Sequence, residues 1–316
     1  MAVSEPRAIS GPPKGLGVAR PRYGEKAVEL GLLLAALVSV ATTVGIVFSL
    51  AVPTFEFFGE VPITDFFFGT DWAPTFSPAA FGVIPIVVGT LSVTFWALLV
   101  AVPLGLGAAI YLSEYASPRV RRTLKPILEV LEGIPTIAYG FFAVTFVTPL
   151  LLDVWPGFLG DEPNVFNVLA AGLVMGVMIL PTIASVSEDA MSAVPRSLRE
   201  GSYALGSSKM QTSVRVVVPA ALSGITASFV LGFSRAIGET IVVLLAAGAI
   251  PNLTLDPRES VQTMTAFIAG TGSGDIATGT ITYKTIFAVG SLLFVMTFVV
   301  NMISIRLVRK YRQVYE

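Results

Sequence analysis

The chain has 316 residues, of which 54% are hydrophobic and 13% are charged, about half the charged fraction of an average soluble domain. This composition predicts an integral membrane protein, and the apolar runs described below predict that it is all-α and polytopic. The sequence contains neither cysteine nor histidine, which excludes disulfides, thiol chemistry, HExxH zinc sites and Ser-His-Asp triads. The net charge of −1 gives no indication of a nucleic-acid partner.

The chain begins with a tail, residues 1–27, whose proline, glycine and arginine content predicts disorder. The next apolar run is too long for the core of a signal peptide and lacks a clear cleavage site, so we interpret it as a spanning helix. Six runs reach the roughly 20 helical residues that a bilayer core requires. These predicted spans are Val28–Val52, Gly82–Leu112, Ile127–Leu152, Val165–Ser187, Ala220–Ile250 and Ile281–Val308. They define a predicted membrane domain, residues 28–310, followed by a short tail, residues 311–316.

Basic residues predict the orientation of these spans. Seventeen of the 20 lysines and arginines lie in the two tails and in the second and fourth loops, whereas the intervening loops are acidic. Because basic loops remain on the cytoplasmic side, both tails are predicted to be cytoplasmic. The fourth loop, about 188–219, is a charged segment between two apolar runs and is predicted to be cytoplasmic too. The expected location is the plasma or inner membrane of the cell.

Three features outside the charged loops also carry predictions. The first outer loop, Pro53–Phe81, is rich in aromatic residues and is predicted to anchor the chain at the membrane interface, or to form part of a docking surface for an external partner. Lys284 opens the last run and is predicted to extend its amine to the outer interface. Gly172 and Gly176 form a small-xxx-small motif, which predicts close helix packing.

The fifth run contains two charged residues, Arg235 and Glu239. Because they are four apart, they are predicted to share one helix face and to pair. A charge at membrane depth usually faces a bundle interior or a water-filled path, and arginine offers a planar set of donors that suits an oxyanion. Either the pair only holds helices in register, or Arg235 lies on an anion path that Glu239, with Ser234 and Thr240 beside it, helps to gate. Gly238 is predicted to allow close helix contact.

Two further acidic residues, Glu129 and Glu132, begin the third predicted span. They could form a gate or bind basic residues of the second loop such as Arg122. The alternative is an exposed helix start at which acidic side chains are favoured by the helix dipole.

Two motifs limit the chemistry. No G-x-x-x-x-G-K-[ST] sequence is present, so the chain cannot hold ATP through a P-loop and a separate subunit would have to supply ATP hydrolysis. Gly272–Asp275 reads GxGD, as in intramembrane aspartyl proteases, but that chemistry requires a second aspartate within the membrane and no apolar run contains one. The chain is therefore predicted to be neither an ATPase nor a protease.

The fourth loop contains Glu200-Gly201-Ser202, then Gly206 three residues later, and Pro219 at the end of an apolar stretch. This spacing resembles the EAA loop of type I ABC-transporter permeases. The resemblance implies six spanning helices in the MetI-like fold, with a short coupling helix that docks into an ATPase subunit. It also implies that Glu200 pairs with the ATPase or caps the helix, that Gly206 permits the turn after it, and that Pro219 starts the fifth spanning helix.

Two more segments narrow the resemblance. Ser234–Val243 reads SRAIGETIVV, and Gly133–Gly140 reads GIPTIAYG, with Pro135 expected to kink the third helix and Tyr139 near its start. Both are similar to segments of phosphate-specific ABC permeases, and the resemblance covers residues 28–310. It implies half of the translocation pathway of an ATP-driven phosphate importer.

The resemblance also implies the partners: a sister permease subunit, two cytoplasmic ATPase subunits that use ATP, an external phosphate-binding protein, and membrane lipid. No cofactor or metal is expected on this chain itself. Three alternatives stay open, namely a permease for another oxyanion such as molybdate or sulfate, the sister phosphate permease, and a membrane signalling scaffold.

Overall fold

The computed structural model describes the backbone of residues 23–311, and the side chains of that range other than Tyr23, Leu159 and residues 307–311. The chain divides into two compact units, Met1–Ser49 and Leu50–Glu316. The predicted disorder of residues 1–22 and most of the predicted C-terminal tail therefore lie outside the described residues.

The first helix, α1 (Tyr23–Glu60), is longer at both ends than the predicted span Val28–Val52. Its first turn includes residues that were assigned to the N-terminal tail. Pro53 lies inside it, and the helix continues through the start of the predicted aromatic loop. Within the first unit, the described residues form one continuous apolar helical segment.

The rest of the described chain is almost entirely helical. Its helices are α2 (Ile63–Phe68), α3 (Ile84–Ile110), α4 (Pro118–Glu132), α5 (Thr136–Phe142), α6 (Thr148–Val154), α7 (Val168–Ser192), α8 (Arg196–Ala204), α9 (Lys209–Thr212), α10 (Val218–Ala220), α11 (Leu222–Gly238), α12 (Ile241–Ala246), α13 (Met264–Gly272) and α14 (Ile281–Tyr311). π-Helical segments continue α3, α5 and α9, at Tyr111–Tyr115, Ala143–Val147 and Ser213–Val217, and a 3-10 turn covers Gly157–Leu159. Two short strands, β1 (Trp72–Ala73) and β2 (Ala80–Phe81), pair antiparallel. The all-α fold class is confirmed.

Within residues 23–311, five helices are long and apolar enough to cross a membrane: Gly24–Glu60, Ile84–Tyr115, Thr136–Val154, Val168–Ser192 and Ile281–Arg306. A sixth span is present if Lys209–Ala220 and Leu222–Gly238, which meet at 72°, count as one. The predicted third and fifth spans are longer than the helices that the structure has there. A break at Gly133–Pro135 separates α4 from the third spanning helix, and α11 ends twelve residues before Ile250.

The contact between α3 and α7 forms the main core of the second unit. It is close because the predicted small residues lie on it. A Cβ on Gly172 would lie 2.5 Å from the Cβ of Trp96, and one on Gly176 would lie 2.8 Å from the carbonyl oxygen of Ala97. The packing prediction for this motif is confirmed.

The aromatic segment forms a second core rather than a purely interfacial surface. Phe57, Phe66 and Trp72 are buried, and Trp72 packs edge-to-face on Phe267 of α13 at 4.9 Å between ring centroids. Other rings of the segment, such as Phe68, remain exposed. The prediction of membrane anchoring therefore fails for the buried rings.

Lys284 pairs with two acidic residues of the predicted outer loop. Its amine lies 2.8 Å from a carboxylate oxygen of Glu60 and 3.2 Å from one of Glu56, and its side chain is largely buried. It links α14 to the end of α1 within the second unit.

The packing of α3 on α7 yields a direct test, Gly176→Ala. The new methyl group would overlap a backbone carbonyl of α3, which cannot move independently of its helix, so we expect a destabilisation of about 1–3 kcal/mol. Thermal unfolding of the detergent-solubilised complex measures the effect. Gly107→Ala is the matched control, because its Cβ meets nothing within 4 Å and alanine favours the helix. Equal melting temperatures for the two variants would contradict the prediction.

Candidate anion site and coupling region

The site is centred on Arg235, in the last turn of α11. Its Nη1 donates to Oε1 of Glu132 at 3.0 Å and to Oγ1 of Thr182 at 3.0 Å. The Thr182 hydroxyl donates to the same glutamate oxygen at 2.9 Å. We call these three residues the Arg235 triad. It brings together the ends of α4 and α11 and the middle of α7.

The triad lies inside the apolar region of the bundle. Thr182 is ten residues from the end of α7, or about 15 Å along a spanning helix. The Arg235 and Glu132 side chains nevertheless remain 29% and 41% exposed. The charged pair is therefore not sealed inside the core of the single chain.

The predicted pair of Arg235 with Glu239 is wrong. Helix α11 ends at Gly238, and Glu239 has an extended backbone, so the spacing of four no longer places the two side chains on one face. Glu239 is buried, and its carboxylate accepts hydrogen bonds from the backbone amides of Ile241 and Val242 at 3.0 and 3.2 Å. It caps the start of α12, where a negative charge is favoured by the free amides and the helix dipole.

The other residues predicted to line the path have separate surroundings. Ser234 donates to Oδ1 of Asn301 on α14 at 2.9 Å. Thr240 lies in the break between α11 and α12 and bonds to the carbonyl of Gly238 at 3.3 Å. A Cβ on Gly238 would meet nothing within 4 Å, so the close contact predicted there is not made within the described chain.

The break after α4 positions Glu132. Gly133 is the C-terminal cap of α4, and Pro135 caps α5 rather than kinking a continuous helix. The buried Tyr139 donates from its hydroxyl to the carbonyl oxygen of Leu131 at 2.8 Å. This bond ties the last turn of α4 to the third spanning helix, beside the triad.

The two acidic residues of α4 therefore have different surroundings from those predicted. They lie in the last turn of an amphipathic helix, not at the start of a span. Glu132 contacts Arg235 and Thr182, not Arg122. Glu129 is exposed, and its side chain makes no hydrogen bond or ion pair with the described residues. The argument from a favourable dipole does not apply, because the last turn of a helix disfavours negative charge.

Sequence reasoning missed a buried ion network at the other end of α4. Glu188, only 1% exposed, forms ion pairs with Arg121 and with the Lys125 amine, the latter at 2.9 Å. Ser192 donates to the Glu188 carboxylate at 2.8 Å, and Asp189 accepts from Lys125 at 2.6 Å. These bonds, to Asp189 first and Glu188 second, raise the pKa of Lys125 above its usual value. The predicted loop 188–219 therefore starts within a helix, because Glu188 and Asp189 still belong to α7. These two residues bind α4 through Arg121 and Lys125.

The coupling region is built around α8. Gly206 follows it with a φ of 82°, a conformation that glycine adopts without strain. Ser202 is buried and lies 2.9 Å from Oγ1 of Thr212, which packs α8 on α9. Gly201 and Glu200 are exposed, and Glu200 is too far into α8 to cap it. The described residues offer Glu200 no hydrogen-bond partner.

Arg199, beside Glu200, was also missed. Its guanidinium contacts the buried carboxylate of Glu114 at 2.8 Å and donates to the carbonyls of Met191 and Val194 at 2.8 and 2.6 Å. It thus fixes α8 against the ends of both α3 and α7. The only sequence signal was Glu114 itself, an acidic residue at the end of an apolar run.

Pro219 does not start the fifth spanning helix. It lies in α10, and the bend of 72° follows it, so that α11 begins at Leu222. The helix that carries Arg235 therefore starts at the bend beyond α9 and α10.

The spanning helices and the charged site between them define the chain as a multi-pass membrane protein. The chain belongs to the family of binding-protein-dependent transport system inner membrane components, whose model matches residues 101–313. It is a permease subunit rather than an enzyme.

Several of its relatives are named as permease proteins of transport systems. A probable ABC transporter permease protein YqgH from Bacillus subtilis is 37% identical over 83% of this chain and 84% of its own length. Phosphate transport system permease proteins are similar as well: PstC of Xylella fastidiosa is 32% identical, covering 78% of this chain and 80% of its own, and PstC 1 of Mycobacterium bovis is 34% identical, covering 73% of each.

Solved structures show the same fold. A chain of a bacterial alginate ABC transporter, in complex with a periplasmic protein, superposes with a TM-score of 0.62 at 16% identity, over 90% of this chain and 96% of that chain. A chain of the MetNI methionine ABC transporter gives a TM-score of 0.52 at 20% identity, over 73% and 95%. The predicted MetI-like fold is confirmed.

The ion network at the start of α4 can be tested by Glu188→Gln. The variant removes a buried charge from two cations, so we expect the free energy of unfolding to fall by about 2 kcal/mol. Thermal unfolding of the solubilised complex reports the loss. Asp189→Asn removes a 62% exposed partner of Lys125 and should change stability by less than about 1 kcal/mol. A larger effect at residue 189 than at residue 188 would show that the buried network is not the stabilising element.

Proposed function

We propose that this chain is the membrane permease subunit of an ATP-driven phosphate importer, with Arg235 on the anion path. The observation that carries this proposal is the accessible guanidinium of Arg235 inside the spanning bundle, beside the Thr182 hydroxyl. A planar set of N–H donors with an adjacent hydroxyl suits an oxyanion that carries several acceptor oxygens. The relatives named as phosphate permeases support phosphate over other oxyanions.

One chain supplies half of the pathway in this proposal. The expected partners are a sister permease (PstA-like), two ATPase subunits (PstB-like) that use ATP, and an external phosphate-binding protein (PstS-like). The segment of the sister permease more often reads R-A-A-G-E-T-A-P, so Ile237, Val242 and Val243 favour the PstC-like subunit. The sister subunit would perform the same transport. The chain lies in the plasma or inner membrane with both termini cytoplasmic, as the distribution of basic residues predicts.

The surface of the coupling region supports an ATPase partner. Leu205 and Met210, on either side of the Gly206 turn, are 89% and 69% exposed, and Tyr203 adds a ring that is 42% exposed. Glu200 lies on the adjoining exposed side of α8. Apolar side chains this exposed next to a charged residue fit a protein interface.

The contacts between the helices provide a route that couples the ATPases to the pore. ATP binding supplies a free-energy difference between two states of the ATPases, and a rigid element must carry the motion to the pore. Arg199 ties α8 to α3 and α7, and the bend after Pro219 links the region to α11, which carries Arg235. Movement of α8 would thus reach the triad through α9, α10 and α11.

Uptake of labelled phosphate tests the anion path. In ATP-loaded vesicles that contain this chain with its partners, Arg235→Ala should lower uptake at least about tenfold, since a charged donor to the anion is lost. Arg235→Lys, which keeps the charge without the planar fork, should give an intermediate rate. Copurification of the partner subunits checks assembly.

The competitors arsenate, sulfate and molybdate separate the alternatives. Wild-type uptake of sulfate or molybdate in place of phosphate would identify another oxyanion as substrate. An assembled complex without flux of any of the four, unaffected by Arg235→Ala, would favour a signalling scaffold. Unchanged phosphate uptake in Arg235→Ala would remove Arg235 from the path.

The docking surface has its own test, Leu205→Glu. A charge in the centre of an apolar contact should reduce the amount of ATPase that copurifies with the chain by about tenfold. Leu255→Glu is the matched control, because Leu255 is 80% exposed and lies in the predicted outer loop. Full ATPase recovery with Leu205→Glu would place the interface elsewhere.

A further inference from the structure

We propose that Glu132 is an internal counter-anion, whose carboxylate occupies the place at Arg235 and Thr182 that the transported oxyanion must take. Transport then requires that substrate displace Glu132, and in the absence of substrate Glu132 keeps the site closed to free anions. This inference rests on the proposed function, because it assumes that Arg235 binds the transported anion.

The geometry supports direct competition. One carboxylate oxygen, Oε1 of Glu132, accepts from both the Arg235 guanidinium and the Thr182 hydroxyl. These are the donors that a phosphate oxygen would use. The contacts of Arg235 with the described residues all involve Nη1, so its Nε and Nη2 groups have no partner among them. Glu132 thus competes with an anion for Nη1 and the Thr182 hydroxyl, and the other donors of Arg235 complete the site once Glu132 has been displaced.

The placement of Glu132 makes the contact reversible. Glu132 is the last residue of α4, where the exposed carbonyls and the helix dipole disfavour a negative charge. Its side chain is 41% exposed, so a displaced carboxylate is not sealed in the core without a partner. The ion pair is thus open to replacement by a substrate anion.

The backbone also allows the carboxylate to move. The break at Gly133–Pro135 directly follows Glu132, so the last turn of α4 is not continuous with the third spanning helix. The opposite end of α4 is held by the buried Glu188 through Arg121 and Lys125. Helix α4 is thus held on α7 and through the Leu131 carbonyl, which accepts from Tyr139, while Glu132 itself lies at the break, where its side chain can rotate away from Arg235.

The competing interpretation is that Glu132 has only a structural role and holds α4, α7 and α11 together. Both interpretations predict some loss of stability when Glu132 is changed, so stability does not separate them. They differ in the behaviour of anions in the absence of ATP. If Glu132 is a counter-anion, removing its charge opens the site to free anions. If Glu132 only holds the helices together, its loss gives either no leak of anions or a leak that does not select between solutes.

The test compares Glu132→Gln with Glu129→Gln in the assembled transporter. Glutamine keeps the shape of the side chain and removes only its charge, and Glu129 lies one turn earlier on the same helix without a partner among the described residues. Vesicles preloaded with labelled phosphate and free of ATP report passive efflux, and labelled sucrose reports nonselective leakage. Copurified subunits confirm assembly.

We expect Glu132→Gln to raise phosphate efflux about tenfold over wild type and over Glu129→Gln, without a change in sucrose efflux. Adding Arg235→Ala should abolish this efflux, because the anion then has no cation to bind. Equal efflux from both glutamine variants, or a parallel rise in sucrose efflux, would overturn the proposal.

The experiments distinguish a failure of the proposed phosphate transport from a failure of the counter-anion role of Glu132. If wild type carries ATP-driven sulfate or molybdate rather than phosphate, the proposed substrate is wrong, and the efflux comparison is made with that labelled anion. If wild type imports phosphate but Glu132→Gln shows no selective efflux, only the counter-anion is wrong. If wild type carries none of the tested anions, both are wrong.

Discussion

The positive charge of Arg235 within the spanning bundle is the constraint on which the arrangement of the second unit depends. A guanidinium at this depth must have an anionic or polar partner, because its hydration is lost there. The partners come from two other helices, Glu132 at the end of α4 and Thr182 in the middle of α7. Helix α4 reaches this position because its other end is held by the buried Glu188. One charge in the membrane thus brings residues of three helices together and gives the proposed anion path its cation.

Breaks in the helices surround this site and have a common physical role. Non-helical backbone inside a membrane is tolerated only where it is covered by protein or lines a polar cavity. The segment Gly133–Pro135 ends α4 beside the triad, and Glu239–Thr240 ends α11 one turn after Arg235. At the second break the Glu239 carboxylate satisfies the free amides of α12, and the Thr265 hydroxyl donates to the Glu239 carbonyl at 2.6 Å. The broken helices leave side chains near the site free to exchange partners, which the proposed displacement of Glu132 requires.

The coupling region shows how a motion at the surface could reach this site. Arg199 joins α8 to the ends of α3 and α7, so α8 cannot rotate alone. The capping box of Ser208 and Gln211 starts α9 directly after the Gly206 turn, and the bend of 72° then connects α10 to α11. Because hydrogen-bonded helices are stiff along their axes, this connected path gives the proposed coupling a mechanical route. In this proposal, the same path joins the charged segment of the sequence and the partly exposed Arg235 in one functional unit.

The sequence by itself determined the membrane class, the all-α fold, the packing of Gly172 and Gly176 against a neighbouring helix, and the turn at Gly206, because each depends on composition or on local spacing. It also determined that Arg235 needs a partner. Only the tertiary structure decided which one. The predicted pair with Glu239 assumed a continuous helix, and the break after Gly238 removed that assumption. Glu132 is 103 residues and Thr182 is 53 residues from Arg235 in the chain, and no local pattern links residues so far apart. Which charged residues meet across such distances depends on how the helices pack, and that packing is a property of the whole fold.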